Sequence, residues 1–248
     1  MTSQKIARRW WGLRRGRPTT PELNPFEAMI DKHDIRKVDN TLTLSDMPKV
    51  YAPWERSDKP HGGYTADKEI LEGMEWVFDN ENTIAVEKLD GTNVSIIVQG
   101  GEITHVFNRT NRVQISPWSS SRILQGIREA HERGYIPVKN GQWFGELIGP
   151  KINGNRHNLD YYLWYPFERA KQRLRYKSWN KYEPTREGIS GWFKDHLFSL
   201  FHMHENGVGI EEGSVSSGTY CEGIIVMHKD GRLAKIRRDM FDWYHKND

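Results

Sequence analysis

One lysine has the surroundings of a nucleophile. Lys88 ends an apolar segment that contains Ile84 and Val86, and the pair Asp90-Gly91 follows almost directly. A lysine attacks only in its neutral form, which burial at a strand end and a neighbouring divalent cation both favour. The pattern therefore indicates covalent catalysis by Lys88. The plainer alternative is an ordinary hairpin whose turn contains the same residues.

Charged residues in later segments could complete a phosphate-transfer site. Glu146 and Glu222 are expected on separate strands, where two carboxylates can hold a divalent cation or ribose hydroxyls. Lys235 and Arg109 could bind a phosphate and stabilise the charge that develops on its oxygens. The aromatic segment 161–167 could supply a ring that stacks on a base.

Taken in order, these segments resemble the motifs of the covalent nucleotidyltransferases, a superfamily of ATP-dependent DNA ligases, RNA ligases and mRNA capping enzymes. In that superfamily the lysine of a Lys-x-Asp-Gly motif attacks the α-phosphate of a nucleoside triphosphate. The resemblance covers residues 86–238. Its segments are 88–91 for the first motif, Arg109 for the arginine one hairpin later, 144–147 for the third motif, 161–167 for the adenine-stacking aromatic, 221–226 for the fourth motif and 234–237 for the fifth.

Within the superfamily, the sequence is most similar to the RNA ligase 2-like enzymes, which seal breaks in double-stranded RNA. Glu87 precedes the lysine and Asn93 ends the motif, as in those enzymes, whereas DNA ligases and capping enzymes usually have Arg in the place of Asn93. The segment Phe-Gly-Glu at 144–146 also suits RNA ligases better than DNA ligases. The resemblance implies an ATP-dependent RNA ligase that joins 5′-phosphate to 3′-hydroxyl ends through lysyl-AMP. A DNA ligase, a GTP-dependent capping guanylyltransferase and a non-sealing subunit that binds RNA ends in a repair complex are the alternatives.

The resemblance also implies roles for particular residues. Lys88, Lys235 and Arg237 are expected to be catalytic, although Arg237 stands where the family usually has a second lysine and cannot readily release a proton. Glu146 and Glu222 are expected to bind Mg²⁺ or Mn²⁺. The residues expected to bind ATP are Glu87, Lys88, Leu89, Asp90, Asn93, Arg109, Glu146, Phe167, Glu222 and Lys235, with Phe167 preferred over Trp164 and Tyr165 as the ring that stacks on adenine.

Positive charge is concentrated at the N-terminus. Residues 1–18 contain one lysine, five arginines and no acid, although the net charge of the chain is only +3. This pattern predicts contacts with RNA phosphates, and a solvated tail or a cleaved targeting sequence is the alternative. The residues expected to contact nucleic acid are Arg8, Arg9, Arg14, Arg15 and Arg112.

Composition and segment order predict the domain organisation. Residues 1–60 are expected to form a basic N-terminal arm and residues 61–248 a nucleotidyltransferase (adenylation) domain. Because the chain ends eleven residues after Arg237, no C-terminal OB-fold is expected, and the arm or a partner protein would replace it. An end-healing protein is an expected partner. The single cysteine, Cys221, fits a cytoplasmic protein, for which a phage is a suitable source, and no apolar run is long enough to span a bilayer.

The order of hydrophobic patterns predicts an α+β fold with mainly antiparallel sheets flanked by helices. Helical spacing predicts helices over 65–79, 119–134 and 186–204. Alternating patterns predict strands over 84–98, broken at 90–91, and over 103–108, 142–148 and 161–167, with a final hairpin over 221–228 and 232–237.

Overall fold

The computed structural model describes residues 44–58, 64–115, 121–207 and 219–244. Its elements, numbered along these residues, are β1 (Trp54–Asp58), β2 (Tyr64–Ile70), β3 (Thr83–Lys88), β4 (Thr92–Gln99), β5 (Glu102–Asn108), β6 (Asn111–Val113), α1 (Arg122–Glu132), β7 (Gly141–Ile148), β8 (Leu163–Pro166), α2 (Phe167–Arg173), β9 (Arg175–Tyr176), α3 (Arg186–Asp195), α4 (Leu200–Glu205), β10 (Gly223–His228) and β11 (Leu233–Arg237). Short 3₁₀ turns occupy Glu75–Phe78, Trp179–Lys181 and Arg238–Met240.

The strands form two main sheets and a separate ribbon. One sheet has the order β11-β10-β3-β9, the other has the order β6-β5-β4-β7-β8, and β1 pairs only with β2. Neighbouring strands are antiparallel in all three. The predicted α+β class with mainly antiparallel sheets is therefore confirmed.

The Asp90-Gly91 segment connects the two sheets instead of forming a hairpin. β3 pairs with β10 and β9, whereas β4 pairs with β5 and β7, so the chain leaves one sheet at Lys88 and enters the other at Thr92. A Cβ atom added to Gly91 would lie 2.3 Å from the carbonyl oxygen of Leu147 on β7. Only a glycine fits this close approach. The Asp-Gly pair at 90–91 therefore marks a crossover between the two sheets.

Large aromatic side chains fill the interior. The indole of Trp164 is buried and donates a hydrogen bond of 3.0 Å to the carbonyl oxygen of Val94. On α3, the ring of Trp192 packs against those of Tyr176 and Trp179, with centroids 5.7 Å away in both cases. These rings explain how a chain with few aliphatic residues forms a continuous core.

Two of the predicted helices differ from the structure. The segment predicted as a helix over 65–79 forms strand β2, a loop and a 3₁₀ turn, because β2 pairs along its length with β1. The helix predicted over 186–204 is divided into α3 and α4. The break is stabilised by Ser199, whose hydroxyl accepts a hydrogen bond from the amide of His202 and so caps α4.

Most other local predictions agree with the structure, although Phe167, which was expected in a strand over 161–167, begins α2. The helix predicted over 119–134 is α1, which buries Leu124, Ile127 and Ala130. The turn at Gly100-Gly101 joins β4 to β5, and both glycines have positive φ, as a two-residue hairpin requires. The hairpin β10–β11 turns through Gly231, with φ of 96°.

The described part of the predicted N-terminal arm packs on the rest of the chain. Trp54 is 1% exposed within the main core. Tyr51 forms a parallel bridge with Ala234 on the edge strand β11. Residues 1–43 lie outside the described residues, so the division at residue 60 stays a prediction. None of the helices in the described ranges is long and apolar enough to cross a membrane.

Candidate nucleotide site

A cleft of about 720 Å³ lies beside the crossover between the two sheets. The wall formed by β3, β10 and β11 includes Lys88, Ile225 and Lys235. Facing residues come from β4 and β7, and residues 47–50 close one side. The remaining lining includes Asn93, Arg109, Glu146, Phe167 and Ala170.

Strand alternation directs two lysines into the same cleft. In the sheet register, Val86 on β3 pairs with Ile225 on β10, and Ile225 pairs with Lys235 on β11. Residues that pair across antiparallel strands share one face, and the side chain two residues along lies on that face as well. Lys88 and Lys235 therefore project from the same face of the sheet, towards the cleft.

Lys88 forms an ion pair with a carboxylate from the fourth motif. Its Nζ lies 2.5 Å from Oε2 of Glu222, which is 134 residues away in sequence, and 3.5 Å from the carbonyl oxygen of Leu89. Burial raises the pKa of the Glu222 carboxyl, and this effect outweighs the opposing influence of the Lys88 charge. The candidate nucleophile is therefore in direct contact with a carboxylate that accepts protons more readily than an exposed one.

A second carboxylate and a side-chain amide face the same space from the other sheet. Asn93 on β4 pairs in register with Glu146 on β7. The pKa of Glu146 is raised to about 7, mainly by burial; the charge of Lys88 opposes this rise, and the charges of Glu222 and Asp90 add to it. The Oδ1 atom of Asn93 is buried and has no hydrogen-bond partner within the described ranges.

These oxygens fit a hard divalent cation. Glu146, Glu222 and Asn93 offer oxygen donors, which Mg²⁺ and Mn²⁺ prefer. Among the described residues, no three or more His, Cys, Asp or Glu side chains form a group suited to a metal. A cation bound here would therefore need substrate oxygens or water to complete its shell, which is typical of Mg²⁺.

Two residues predicted to bind ATP have side chains in the interior instead. The carboxylate of Glu87 is buried and accepts hydrogen bonds from Ser199 Oγ (2.6 Å) and the amide of Phe201 (2.8 Å). Burial raises the pKa of this carboxyl to about 7. Leu89 is 4% exposed and belongs to the main core. Because Glu87 alternates with Lys88 along β3, its side chain anchors the start of α4. Glu87 and Leu89 nevertheless line the cleft, so their predicted contact with ATP stays a prediction.

Asp90 is not among the residues that line the cleft, and its side chain contacts a neighbouring loop. Its carboxylate accepts hydrogen bonds from Asn153 Nδ2 (3.1 Å) and Arg156 Nε (3.2 Å). Its amide donates to Nε2 of His157 at 3.2 Å. The three partners lie in the loop between β7 and β8, and sequence reasoning missed them. The only local signal was the Asn-Gly-Asn run at 153–155, which is typical of a tight turn.

The remaining predicted contacts border the cleft. Arg109 adopts a φ of 56° in the turn between β5 and β6, and its guanidinium lies 3.8 Å from the Asp46 carboxylate. Phe167 lines the cleft at the start of α2, whereas the alternatives Trp164 and Tyr165 are buried in the core.

The second cation of the fifth motif lies just outside the cleft. Arg237 forms an ion pair of 2.9 Å with Asp239, and its charge lowers the pKa of Glu222 slightly against the dominant effect of burial. It lines an adjacent cavity of about 470 Å³ together with Lys49 and Lys235. Arg237 is therefore close to the predicted site, although it does not line the main cleft.

The family model described as RNA ligase matches residues 81–241, which are more than half of the chain. The chain belongs to the RNA ligase family. The matched region contains the crossover and the strands that line the cleft. It also contains Glu146 and Glu222, the two carboxylates that face Lys88.

Solved structures of RNA ligase from Naegleria gruberi are similar to this family member. The structure with PPi is 16% identical, with a TM-score of 0.42, and the match covers 82% of this chain and 64% of that one. A variant with ATP and Mn is 14% identical, with a TM-score of 0.39, and the match covers 79% of this chain and 62% of that one. This chain thus spans less than two thirds of the length of these relatives. No curated protein matches its sequence.

The sequence-predicted residues of this family member fall into three groups. The structure brings together Lys88, Asn93, Arg109, Glu146, Phe167, Glu222 and Lys235 around the cleft. Glu87 and Leu89 also line the cleft although their side chains are buried, whereas Asp90 contacts the neighbouring loop and Arg237 lies at the cleft's edge. Of the predicted RNA contacts, Arg112 is exposed on β6, while Arg8, Arg9, Arg14 and Arg15 lie outside the described residues.

Proposed function

We propose that this protein is an ATP-dependent RNA ligase that joins 5′-phosphate to 3′-hydroxyl ends through a covalent AMP on Lys88. The observation that carries the proposal is the contact of Lys88 Nζ with Glu222 in a cleft whose opposite wall presents Glu146 and Asn93. The cleft volume of about 720 Å³ lies within the usual range for small-molecule sites. Membership of the RNA ligase family supports the same conclusion.

In the first step, the neutral amine of Lys88 attacks the α-phosphorus of ATP. The N–P bond forms as the P–O bond to the β-phosphate breaks, and pyrophosphate leaves. The carboxylate of Glu222, which contacts Nζ at 2.5 Å, is placed to accept the proton that the amine releases.

Other cleft residues would bind and orient the nucleotide. The ring of Phe167 would stack on adenine, and Asn93 would bind the ribose or a phosphate. Lys235 and Arg109 would neutralise phosphate oxygens. Phosphoryl transfer depends mainly on such positioning and charge stabilisation.

Glu146 and Glu222 would hold Mg²⁺ or Mn²⁺ near the phosphates. Both carboxylates are desolvated, and a cation would offset the cost of keeping them charged together. A divalent cation supplies charge neutralisation of the phosphate oxygens. Metal and ATP in the Naegleria gruberi structures are consistent with this assignment.

Sealing would follow in two further steps. AMP passes from Lys88 to the 5′-phosphate of an RNA strand, and the 3′-hydroxyl of a second strand then attacks that phosphate and displaces AMP. Arg112, Arg8, Arg9, Arg14 and Arg15 would bind the RNA backbone. An end-healing partner protein, a cytoplasmic location and a phage origin stay predictions from the sequence.

The test is to incubate the protein with Mg²⁺ and α-labelled ATP or GTP and to measure label on the denatured chain. Label from ATP is expected, and Lys88→Ala should abolish it because the variant lacks the amine that contacts Glu222. Lys229→Ala is the matched control, since Lys229 is an exposed lysine in the β10–β11 turn and should leave labelling unchanged. The labelled protein is then given nicked duplexes that carry either an RNA or a DNA 3′-hydroxyl strand.

Each outcome of the labelling and sealing assays distinguishes the proposed RNA ligase from one alternative. Label from GTP alone would indicate a capping guanylyltransferase. Equal sealing of DNA and RNA nicks would remove the RNA preference. Labelling without transfer to either strand would leave a non-sealing protein, and failure to label with both nucleotides would contradict the proposed enzyme.

A further inference from the structure

The loop between β7 and β8 has an unusual backbone. Four of its residues other than glycine have positive φ, namely Lys151 (59°), Asn153 (44°), Asn155 (53°) and Asn158 (49°). This left-handed conformation costs roughly 1–2 kcal/mol for a residue with a side chain, and less for asparagine. Such residues persist where the surrounding structure requires them, and they cluster at functional sites.

This loop binds the turn that follows Lys88 from several directions. Asn153 Nδ2 donates to Oδ1 of Asp90 at 3.1 Å and to the carbonyl oxygen of Gly91 at 2.7 Å. Arg156 Nε donates to the other carboxylate oxygen, Oδ2, at 3.2 Å. Nε2 of His157 accepts from the Asp90 amide. The loop thus engages the amide and both carboxylate oxygens of Asp90.

The loop is itself fixed to the core. The His157 side chain is 2% exposed and packs edge-on against the ring of Phe201, with centroids 5.1 Å apart. Burial lowers the pKa of His157 to about 4, so its imidazole is neutral near pH 7 and can accept the amide hydrogen. Asn155 closes the loop by exchanging hydrogen bonds with the main chain of Leu159 at 2.8 and 3.1 Å.

We propose that residues 149–160 form a positioning loop for Lys88, in which Asn153, Arg156 and His157 hold the Asp90-Gly91 turn. Asp90 receives these contacts through its amide and both carboxylate oxygens. Lys88 is two residues from Asp90, so the position of this turn sets where Nζ lies relative to the α-phosphorus. The inference rests on the proposed nucleotidyl transfer to Lys88.

Asn153→Gly tests the inference without straining the loop. Glycine adopts a φ of 44° freely, so the substitution removes both side-chain hydrogen bonds to the turn and keeps the backbone conformation. Asn158→Gly is the matched control. Asn158 is the same residue type in the same loop, with a φ of 49°, and its side chain is exposed.

The measurement is the single-turnover rate of Lys88 labelling as a function of ATP concentration. In Asn153→Gly, the rate at saturating ATP is expected to fall about tenfold or more, because small displacements of a nucleophile slow attack strongly. The ATP concentration that gives half the maximal rate should change by less than about threefold, since the nucleotide contacts remain. Asn158→Gly should match the wild-type protein in both quantities.

A second pair of variants addresses the ion pair with Asp90. Arg156→Gln removes the charge and should slow labelling in the same manner, whereas Arg156→Lys keeps the charge and should recover part of the rate. Thermal unfolding is measured for every variant. A purely structural role would lower Tm, but it would not selectively lower the labelling rate at saturating ATP while leaving the ATP concentration for half-maximal rate unchanged.

The outcomes are distinct. Wild-type rates in both Asn153→Gly and Arg156→Gln would overturn the positioning role while the proposed enzyme stands. A loss that lies entirely in ATP affinity would also overturn it, since the loop would then act on binding. Failure to label the wild-type protein would overturn the proposed function and this inference with it.

Discussion

Glu87→Gln is expected to weaken the pH dependence of the free energy of unfolding. Glu87 is 2% exposed, and its pKa is raised by burial to about 7 from an ordinary value of 4.5. The hydrogen bonds from Ser199 and Phe201 stabilise the charged form only in part. The folded chain therefore holds a proton on Glu87 at pH values where the unfolded chain has released it.

The direction of the change in unfolding free energy with pH follows from proton linkage. Because the folded state binds more protons than the unfolded state between the two pKa values, stability falls as pH rises from 5 towards 8. The pKa values of about 7 and 4.5 correspond to a loss of about 2–3 kcal/mol over this range from Glu87 alone. Glutamine cannot ionise, so the variant lacks this contribution at every pH.

The assay is urea unfolding followed by tryptophan fluorescence at pH 5 and pH 8. The difference in unfolding free energy between the two pH values should be smaller in Glu87→Gln than in the wild-type protein by about 2–3 kcal/mol. Glu146, whose pKa is also raised to about 7, contributes equally to both proteins and cancels. Glu72→Gln, at an exposed carboxylate, is the control and should keep the wild-type difference. An unchanged difference in Glu87→Gln would refute the reasoning that this carboxylate is buried and titrates near pH 7.

Two further predictions concern the crossover and the cleft wall. Gly91→Ala would place a Cβ atom 2.3 Å from the Leu147 carbonyl oxygen, so it should lower the unfolding free energy by about 1–3 kcal/mol and slow Lys88 labelling. Gly191→Ala on α3, where an added Cβ meets no atom within 4 Å, should instead stabilise the protein by about 1 kcal/mol. Urea unfolding of both variants tests whether their effects on stability have opposite signs. Phe167→Leu should raise the ATP concentration for half-maximal labelling by about tenfold, because base stacking contributes about 1–3 kcal/mol, with little change in the rate at saturating ATP. An unaltered ATP dependence in Phe167→Leu would show that another group contacts the base.

The connection between the two sheets explains why the first motif lies beside the cleft. Lys88 is the last residue of β3 in one sheet, and Asn93 is the second residue of β4 in the other. A crossover of three residues therefore places a candidate nucleophile and a candidate ligand on opposite walls. The positioning loop contacts this crossover, so its residues can influence both walls at once.

The sequence by itself determined the features that depend on neighbouring residues. Alternation of apolar and polar side chains located most strands, and glycines at the hairpin turns permit positive φ. The order of short motifs also located most of the predicted residues that line or face the cleft, since each motif lies in or next to a strand of the two sheets.

Long-range packing decided the rest. Residues 65–70 have helical spacing, yet they form β2, because pairing with β1 outweighs a weak local preference. Glu87 and Lys88 are adjacent in sequence, but the pleat of β3 directs one into the core and the other into the cleft.

The partners of the first motif could be found only in three dimensions. Glu222 reaches Lys88 across 134 residues of sequence because β10 lies beside β3 in the sheet. Asn153, Arg156 and His157 reach Asp90 because the loop after β7 returns to the crossover. The sequence specified which residues could carry out the chemistry, and the sheet pairing decided which of them face one another, because contact between distant segments depends on the packed fold.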